Sequence, residues 1–127
     1  MDKLHQVSTF RRHFYLSDNN RVTRIYEQIE TGRLVEIVCA SLDTHFKGKW
    51  ITIVRYDTHH GYMHKHERVS IENESTTVTI LGVRQKGTRR RLLRWAIRDI
   101  NTNYLVYKRK FLKRSGYSKN EIWFNLF

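Results

Sequence analysis

The chain has 127 residues, a mass of 15.4 kDa and a formal net charge of +12, which predicts one compact domain, 1–127, and a polyanionic partner. Its one cysteine, Cys39, excludes an internal disulfide framework, and no apolar run is long enough for a membrane span. We therefore expect a cytoplasmic protein without membrane contact; the motifs of P-loop enzymes, thiol-zinc proteins, classical hydrolases and Rossmann enzymes are absent from the sequence.

β-branched and alternating patterns predict antiparallel strands after a short tail over 1–7. The strands before the central hairpin are predicted over 9–16, 21–29 and 34–42. The second of these also has apolar residues at helical spacing, but the segment after Thr31 and Gly32 is predicted to be its return strand, which favours a strand. A turn within 43–48 follows.

The most informative stretch is 49–66, which contains four of the seven histidines and lies within a predicted pair of strands, 49–57 and 62–71. We predict a β-hairpin with a four-residue turn, THHG, at 58–61. That turn length places Asp57 opposite Tyr62, and because side chains alternate along a strand, five polar side chains share one face. These are Arg55, Asp57, Tyr62, His64 and His66.

After the hairpin, one more strand over 76–83 completes a predicted antiparallel sheet, 9–83, of five or six strands. Apolar residues then recur every three or four positions over 88–115, which predicts one long helix, and Gly116 is typical of a helix end. The predicted fold class is α+β, with this helix on the sheet or in a subunit interface. The weak helix formers at 101–103 are compatible with a break.

The positive charge is concentrated in the helical segment. Residues 84–119 contain thirteen Lys and Arg and a single acid, Asp99, whereas the rest of the chain has as many acids as bases. Such a segment predicts binding of RNA or another nucleic acid, with an acidic protein as the alternative partner. The predicted nucleic-acid-binding residues are Arg89, Arg90, Arg91, Arg94 and Arg98.

The sequence from Tyr56 to His66, YDTHHGYMHKH, resembles the YDN-x-x-G-x-x-x-H-x-H signature of the TumE-like toxins of prokaryotic toxin–antitoxin systems. Small prokaryotic proteins with an R-Y-D-T-x-H-G-x-x-H core are also similar, and the likeness covers about residues 33–70. Thr58 stands where the family has asparagine, and the spacing from glycine to histidine is one residue shorter. The resemblance implies a small α+β toxin that acts on RNA and is neutralised by a cognate antitoxin protein.

The same residues suit metal-independent cleavage of RNA. In that reaction the ribose 2′-hydroxyl attacks the adjacent phosphorus, so the site needs a base, an acid and a cation. His64 and His66 are the predicted acid and base, and Arg55 is the predicted phosphate stabiliser. Asp57 would fix a histidine tautomer, and Tyr62 would stack on a base or donate a proton. No cofactor is needed.

Other roles compete with this one. His59 and His60 are predicted turn residues, and Asp57 also suits a local turn cap. The two histidines of the second hairpin strand also fit an exposed sheet face without any function. Zinc held by those histidines and Asp57 ranks below the metal-free site, because the spacing singles out no metal.

Three functions in different classes follow. The favoured one is an RNA-cleaving toxin, a hydrolase in which the amino end of the basic helix brings RNA to the histidines. The second is a non-catalytic nucleic-acid-binding module that uses the basic helix. The third is a homo-oligomeric assembly module, since the apolar tail over 120–127 needs burial against the sheet or a second subunit.

Overall fold

The computed structural model describes residues 5–81 and 88–127. A six-stranded antiparallel sheet with its strands in chain order is followed by two helices, which is the α+β fold that the sequence predicts. The strands are β1 Val7–Ser17, β2 Asn20–Ile29, β3 Leu34–Phe46, β4 Lys49–Asp57, β5 His64–Arg68 and β6 Thr76–Ile80, and the helices are α1 Arg89–Arg114 and α2 Lys119–Asn125. None of the helices in these residues is both long and apolar enough to cross a membrane.

The second and third strands settle two questions that the sequence left open. β2 pairs with both β1 and β3, so this segment is a strand despite the helical spacing of its apolar residues. β3 continues through most of the predicted turn, because Asp43 and Thr44 are buried within the sheet. The turn is confined to Lys47 and Gly48, which both have positive φ.

The last two strands are shorter than predicted. The chain leaves the sheet after Arg68, whose guanidinium donates to the carbonyls of Ser70 and Ile71 at 2.9 and 2.7 Å. Two predictions fall partly outside the described residues, namely the tail at 1–4 and the end of the last strand at 82–83.

The hydrophobic core lies between one face of the sheet and α1, so the long helix packs on the sheet. Six residues predicted to form one stripe on the helix contact this core, three of them buried and three half-buried. In that order they are Leu93, Ile100, Phe111, Ile97, Tyr104 and Tyr107. The helix is continuous through 101–103, because the packing of the helical residues before and after this segment outweighs its weak helix propensity.

Both ends of α1 are capped by local hydrogen bonds. The Thr88 hydroxyl accepts from the backbone N–H of Arg91 at 3.2 Å. At the other end, the N–H groups of Gly116 and Tyr117 return to carbonyls of the last helical turn at 3.1 Å. Gly116 has φ +89°, so the predicted glycine stop is confirmed.

A polar cluster fastens α1 to the central strands. Asp99 accepts hydrogen bonds from the hydroxyls of Tyr56 and Tyr107, the latter at 2.5 Å. Lys65 donates to the Tyr107 hydroxyl at 2.7 Å. Burial raises the pKa of both tyrosines, so both hydroxyls remain donors. Because Tyr56 and Lys65 face the helix, their neighbours along β4 and β5 face the other side of the sheet.

The apolar tail forms α2 and is buried only in part. Leu126 is buried, and its carbonyl accepts from the Asn20 amide at 2.8 Å. Three other side chains are not buried against the sheet and remain 67, 84 and 53% exposed, so the alternative of burial against a second subunit stays a prediction for them. These are Trp123, Phe124 and Phe127.

Candidate functional site

The pairing of β4 with β5 differs from the predicted register by two residues. Asp57 lies opposite His64, whereas the four-residue turn placed it opposite Tyr62. The connection spans 58–63 and contains a 3-10 turn, His59–Gly61, so the predicted turn length is wrong. A shift of two residues nevertheless keeps every side chain on its predicted face.

Asp57 is the centre of the side chains on this face and is 6% exposed. Its Oδ2 lies 3.1 Å from His66 Nε2 and 3.4 Å from Arg55 Nε. Its Oδ1 accepts the backbone N–H of His59 at 3.1 Å and lies 3.9 Å from His64 Nδ1. The same carboxylate therefore caps the turn and contacts a histidine, and its predicted role in fixing the tautomer of that histidine stays a prediction.

The aromatic rings of this face lie in a row. The rings of Tyr62 and His64 are 4.5 Å apart between centroids, and those of His64 and His66 are 6.2 Å apart. All five side chains predicted to share a face are thus close together. We call them the histidine face: Arg55, Asp57, Tyr62, His64 and His66.

His66 has the chemistry of a proton acceptor. Burial lowers its pKa, and the nearby Arg55 guanidinium lowers it further, while Asp57 acts in the opposite direction. The neutral imidazole is therefore favoured near neutral pH, and Asp57 holds one of its ring nitrogens.

All members of the histidine face except Tyr62 line a groove of about 440 Å³, whose charge the sequence did not predict. β2 and β3 add Glu27 and Glu36, and His59 Nδ1 lies 3.7 Å from Glu36 Oε1. With Asp57, three carboxylates face one guanidinium, that of Arg55, among the described residues that line the groove, and these fixed charges are unfavourable to a polyanion. The two glutamates enter the groove through long-range strand pairing, which leaves no local signal in the sequence.

The zinc interpretation has no support in this geometry. Among residues 5–81 and 88–127, no three His, Cys, Asp or Glu side chains are arranged to hold a metal ion.

The body of the basic helix lies on the opposite side of the sheet from the histidine face, and the expected delivery of RNA by the amino end of this helix stays a prediction. The amino end of the helix reaches the hairpin turn. There Arg89 donates to the carbonyl of Gly61 and Arg90 to that of Gly32, both at 2.8 Å. Two of the five predicted nucleic-acid-binding residues therefore hold the start of α1 against two turns of the sheet.

The outer side of α1 carries a row of exposed cations. The steps of three, four, eleven and four residues keep them on one side of a helix, over about 33 Å. We call this row the cationic stripe: Arg91, Arg94, Arg98, Arg109 and Lys113. Asp99, the one acid of 84–119, faces the sheet instead. In the described part of the chain, no carboxylate forms an ion pair with the stripe.

A family model described as a domain of unknown function (DUF7718) matches residues 3–117. The chain belongs to the DUF7718 family. The match takes in the whole sheet and α1. No curated protein and no solved structure matches the DUF7718 chain. The family description states no activity, so the resemblance to TumE-like toxins depends on the hairpin motif alone.

The DUF7718 chain thus presents two surfaces with different chemistry. The histidine face offers a neutral imidazole, a buried carboxylate and a guanidinium in an acidic groove. The cationic stripe offers, on the opposite side, a row of positive charge that no carboxylate of residues 5–81 and 88–127 pairs with. The first surface suits proton transfer, and the second suits a polyanion.

Proposed function

We propose that this DUF7718 protein binds nucleic acid along the outer face of α1. The observation that carries the proposal is the cationic stripe, where five exposed cations lie on one side of a helix without an acidic partner among the described residues. Isolated surface cations are usually paired or dispersed. A row of this length repels itself, and a phosphate backbone relieves that repulsion.

The physical signature of such binding is a strong dependence on salt. Each phosphate that a cation neutralises releases counterions, so the logarithm of the affinity falls linearly with the logarithm of the salt concentration. Five contacts predict a slope of about −3.5 for a single strand and about −4.5 for a duplex.

The test removes part of the stripe. In the triple variant Arg91→Ala, Arg94→Ala, Arg98→Ala, we expect affinity for an oligonucleotide at roughly 0.1 M salt to fall about tenfold or more, because three phosphate contacts are lost. Fluorescence anisotropy with labelled RNA and DNA measures the change.

The matched control removes the same charge elsewhere. Arg11→Ala, Arg12→Ala, Lys49→Ala takes three exposed cations from the sheet, and we expect affinity to stay within about threefold of wild type. An equal loss in both triple variants would mean that net charge alone drives binding, which contradicts a site on α1.

RNA cleavage on the histidine face is the second candidate function, and the contact of His66 with Asp57 favours it. His66, with its lowered pKa, would accept the 2′-hydroxyl proton, and His64 would protonate the leaving oxygen. Arg55 would stabilise the phosphate charge, with Tyr62 stacked on a base. In this account the protein is a toxin with a cognate antitoxin. It ranks second because the carboxylates of the groove oppose the phosphates of RNA.

Its test compares histidine variants. We expect His64→Ala and His66→Ala each to lower cleavage of single-stranded RNA by about 10²-fold or more, and chelators to leave wild-type cleavage unchanged. His5→Ala, an exposed histidine far along the chain, is the control. In cells, growth arrest by wild type and not by His64→Ala would support a toxin. Undiminished cleavage by both site variants would exclude this candidate.

A further inference from the structure

The carboxyl end of α1 and the helix α2 border a groove that is separate from the histidine face. Its volume is about 650 Å³. Its apolar part is formed by Tyr117, Ile122 and Trp123. The cations that line it are Arg109, Lys113 and Lys119, and none of the described residues that line it is acidic. We call it the C-terminal groove.

Trp123 is 67% exposed, but the helix that carries it is anchored at both ends. The Ser118 hydroxyl accepts from the N–H of Glu121, and the Glu121 carboxylate accepts from the N–H of Ser118, so both ends of the first turn of α2 are bonded. Buried Leu126, tied to Asn20, anchors the other end. A large aromatic side chain exposed on an anchored element is typical of a binding surface.

The C-terminal groove continues the cationic stripe. Arg109 and Lys113 are the last two cations of the stripe and also line the groove. A polyanion that follows the stripe therefore arrives beside Trp123. Alternation of cations with an aromatic platform is how proteins bind single strands, because the cations follow the backbone and the rings stack on bases.

We infer that the C-terminal groove binds an unpaired base of single-stranded nucleic acid, stacked on Trp123, with its phosphates held by Arg109 and Lys113. This inference rests on the proposed nucleic-acid binding and adds the class of strand. The other cations of the stripe bind phosphates on one side of the stacked base. The site is thus selective for single strands over duplexes.

The charges and shapes of the groove and its possible ligands favour this occupant over three others. A duplex keeps the faces of its bases inside the stack, so it offers no face to Trp123. A second copy of the chain would bring the same cations, and a net charge of +12, against the groove. An acidic protein segment matches the three cations of the groove but does not require the rest of the stripe.

The test is Trp123→Ala with two probes, an oligouridine of about 12 nucleotides and a duplex of the same length. We expect affinity for the single strand to fall about tenfold through loss of stacking, and affinity for the duplex to stay within about twofold. The salt slope for oligouridine is unchanged, because no cation is removed.

Phe124→Ala is the matched control. Phe124 is the next residue of α2 and is 84% exposed, yet it does not line the groove. We expect this variant to bind both probes like wild type. Circular dichroism spectra that coincide with wild type establish that both variants are folded.

The outcomes separate this inference from the proposed function. If the stripe variant loses affinity while Trp123→Ala binds oligouridine like wild type, the inference is wrong and the proposed function stands. If the stripe variant keeps full affinity, the proposed function is wrong, and the inference that rests on it falls with it. Loss of a wild-type dimer in Trp123→Ala, or loss of binding to a polyglutamate peptide with oligouridine binding intact, would assign the groove to a protein instead.

Discussion

Two carboxylates, one half-buried and one buried, are the centres of the polar contacts on the two sides of the sheet. Asp99 accepts the hydroxyls of Tyr56 and Tyr107 and so joins α1 to the sheet. Asp57 accepts a turn N–H and holds His66 on the other side. Each acid is in a polar network, which is why it tolerates burial. The carboxylates thus belong to different surfaces and are expected to respond independently to substitution.

Lys108 is the residue whose burial should be visible in the pH dependence of stability. It is 1% exposed, and burial lowers its pKa from 10.5 to about 8. Between these pH values the unfolded chain binds a proton that the folded chain has released, so the free energy of unfolding rises with pH across this window. The buried charge costs up to about 3 kcal/mol below pH 8.

We therefore expect Lys108→Met to raise the free energy of unfolding by up to about 3 kcal/mol at pH 7, and by much less at pH 10.5. Urea denaturation at both pH values measures this. Lys110→Met, at an exposed position of α1, should change little at either pH. A gain at Lys108 that stays constant with pH would show that burial of the charge is not its cause.

At the scale of elements, the packing of α1 across the sheet determines which surface each strand residue reaches. Tyr56 and Lys65 point to the helix, and the alternation of β4 and β5 sends their neighbours to the histidine face. The polar cluster around Asp99 fixes this arrangement, since Tyr56 is buried and its hydroxyl has few alternative partners.

Asp99→Ala should loosen α1 from the sheet. We expect a loss of about 2 kcal/mol in the free energy of unfolding, because a buried tyrosine hydroxyl loses its acceptor. Glu74→Ala, which removes an exposed acid from a loop, is the charge-matched control and should have little effect. Equal stability of the two variants would contradict the role of this cluster.

The spacing of apolar residues along the sequence predicted the sheet and the helix. The error in the register of the hairpin came from the local geometry of its turn. Alternation and the three-to-four spacing are local properties, so the strands and α1 could be located. The register of the hairpin could not be predicted, because the chain between Asp57 and His64 forms a six-residue connection with a 3-10 turn in place of the four-residue turn. The prediction of which side chains share a face held only because the register error was two residues, an even number.

At the scale of the whole molecule, the sheet separates an acidic groove from a cationic helix. The sequence showed both the histidines and the concentration of charge but not that they lie on opposite sides. That depends on which face of the sheet α1 covers, which is a long-range property. The carbonyl contacts of Arg89 and Arg90 and the entry of Glu27 and Glu36 into the groove are equally long-range.

The measurement that tests the central claim most directly is the salt dependence of oligonucleotide binding by wild type and by Arg91→Ala, Arg94→Ala, Arg98→Ala. We predict a slope of about −3.5 for a single strand in wild type, reduced in magnitude by about 2 in the variant. The same slope in both proteins would contradict binding of nucleic acid along the cationic stripe.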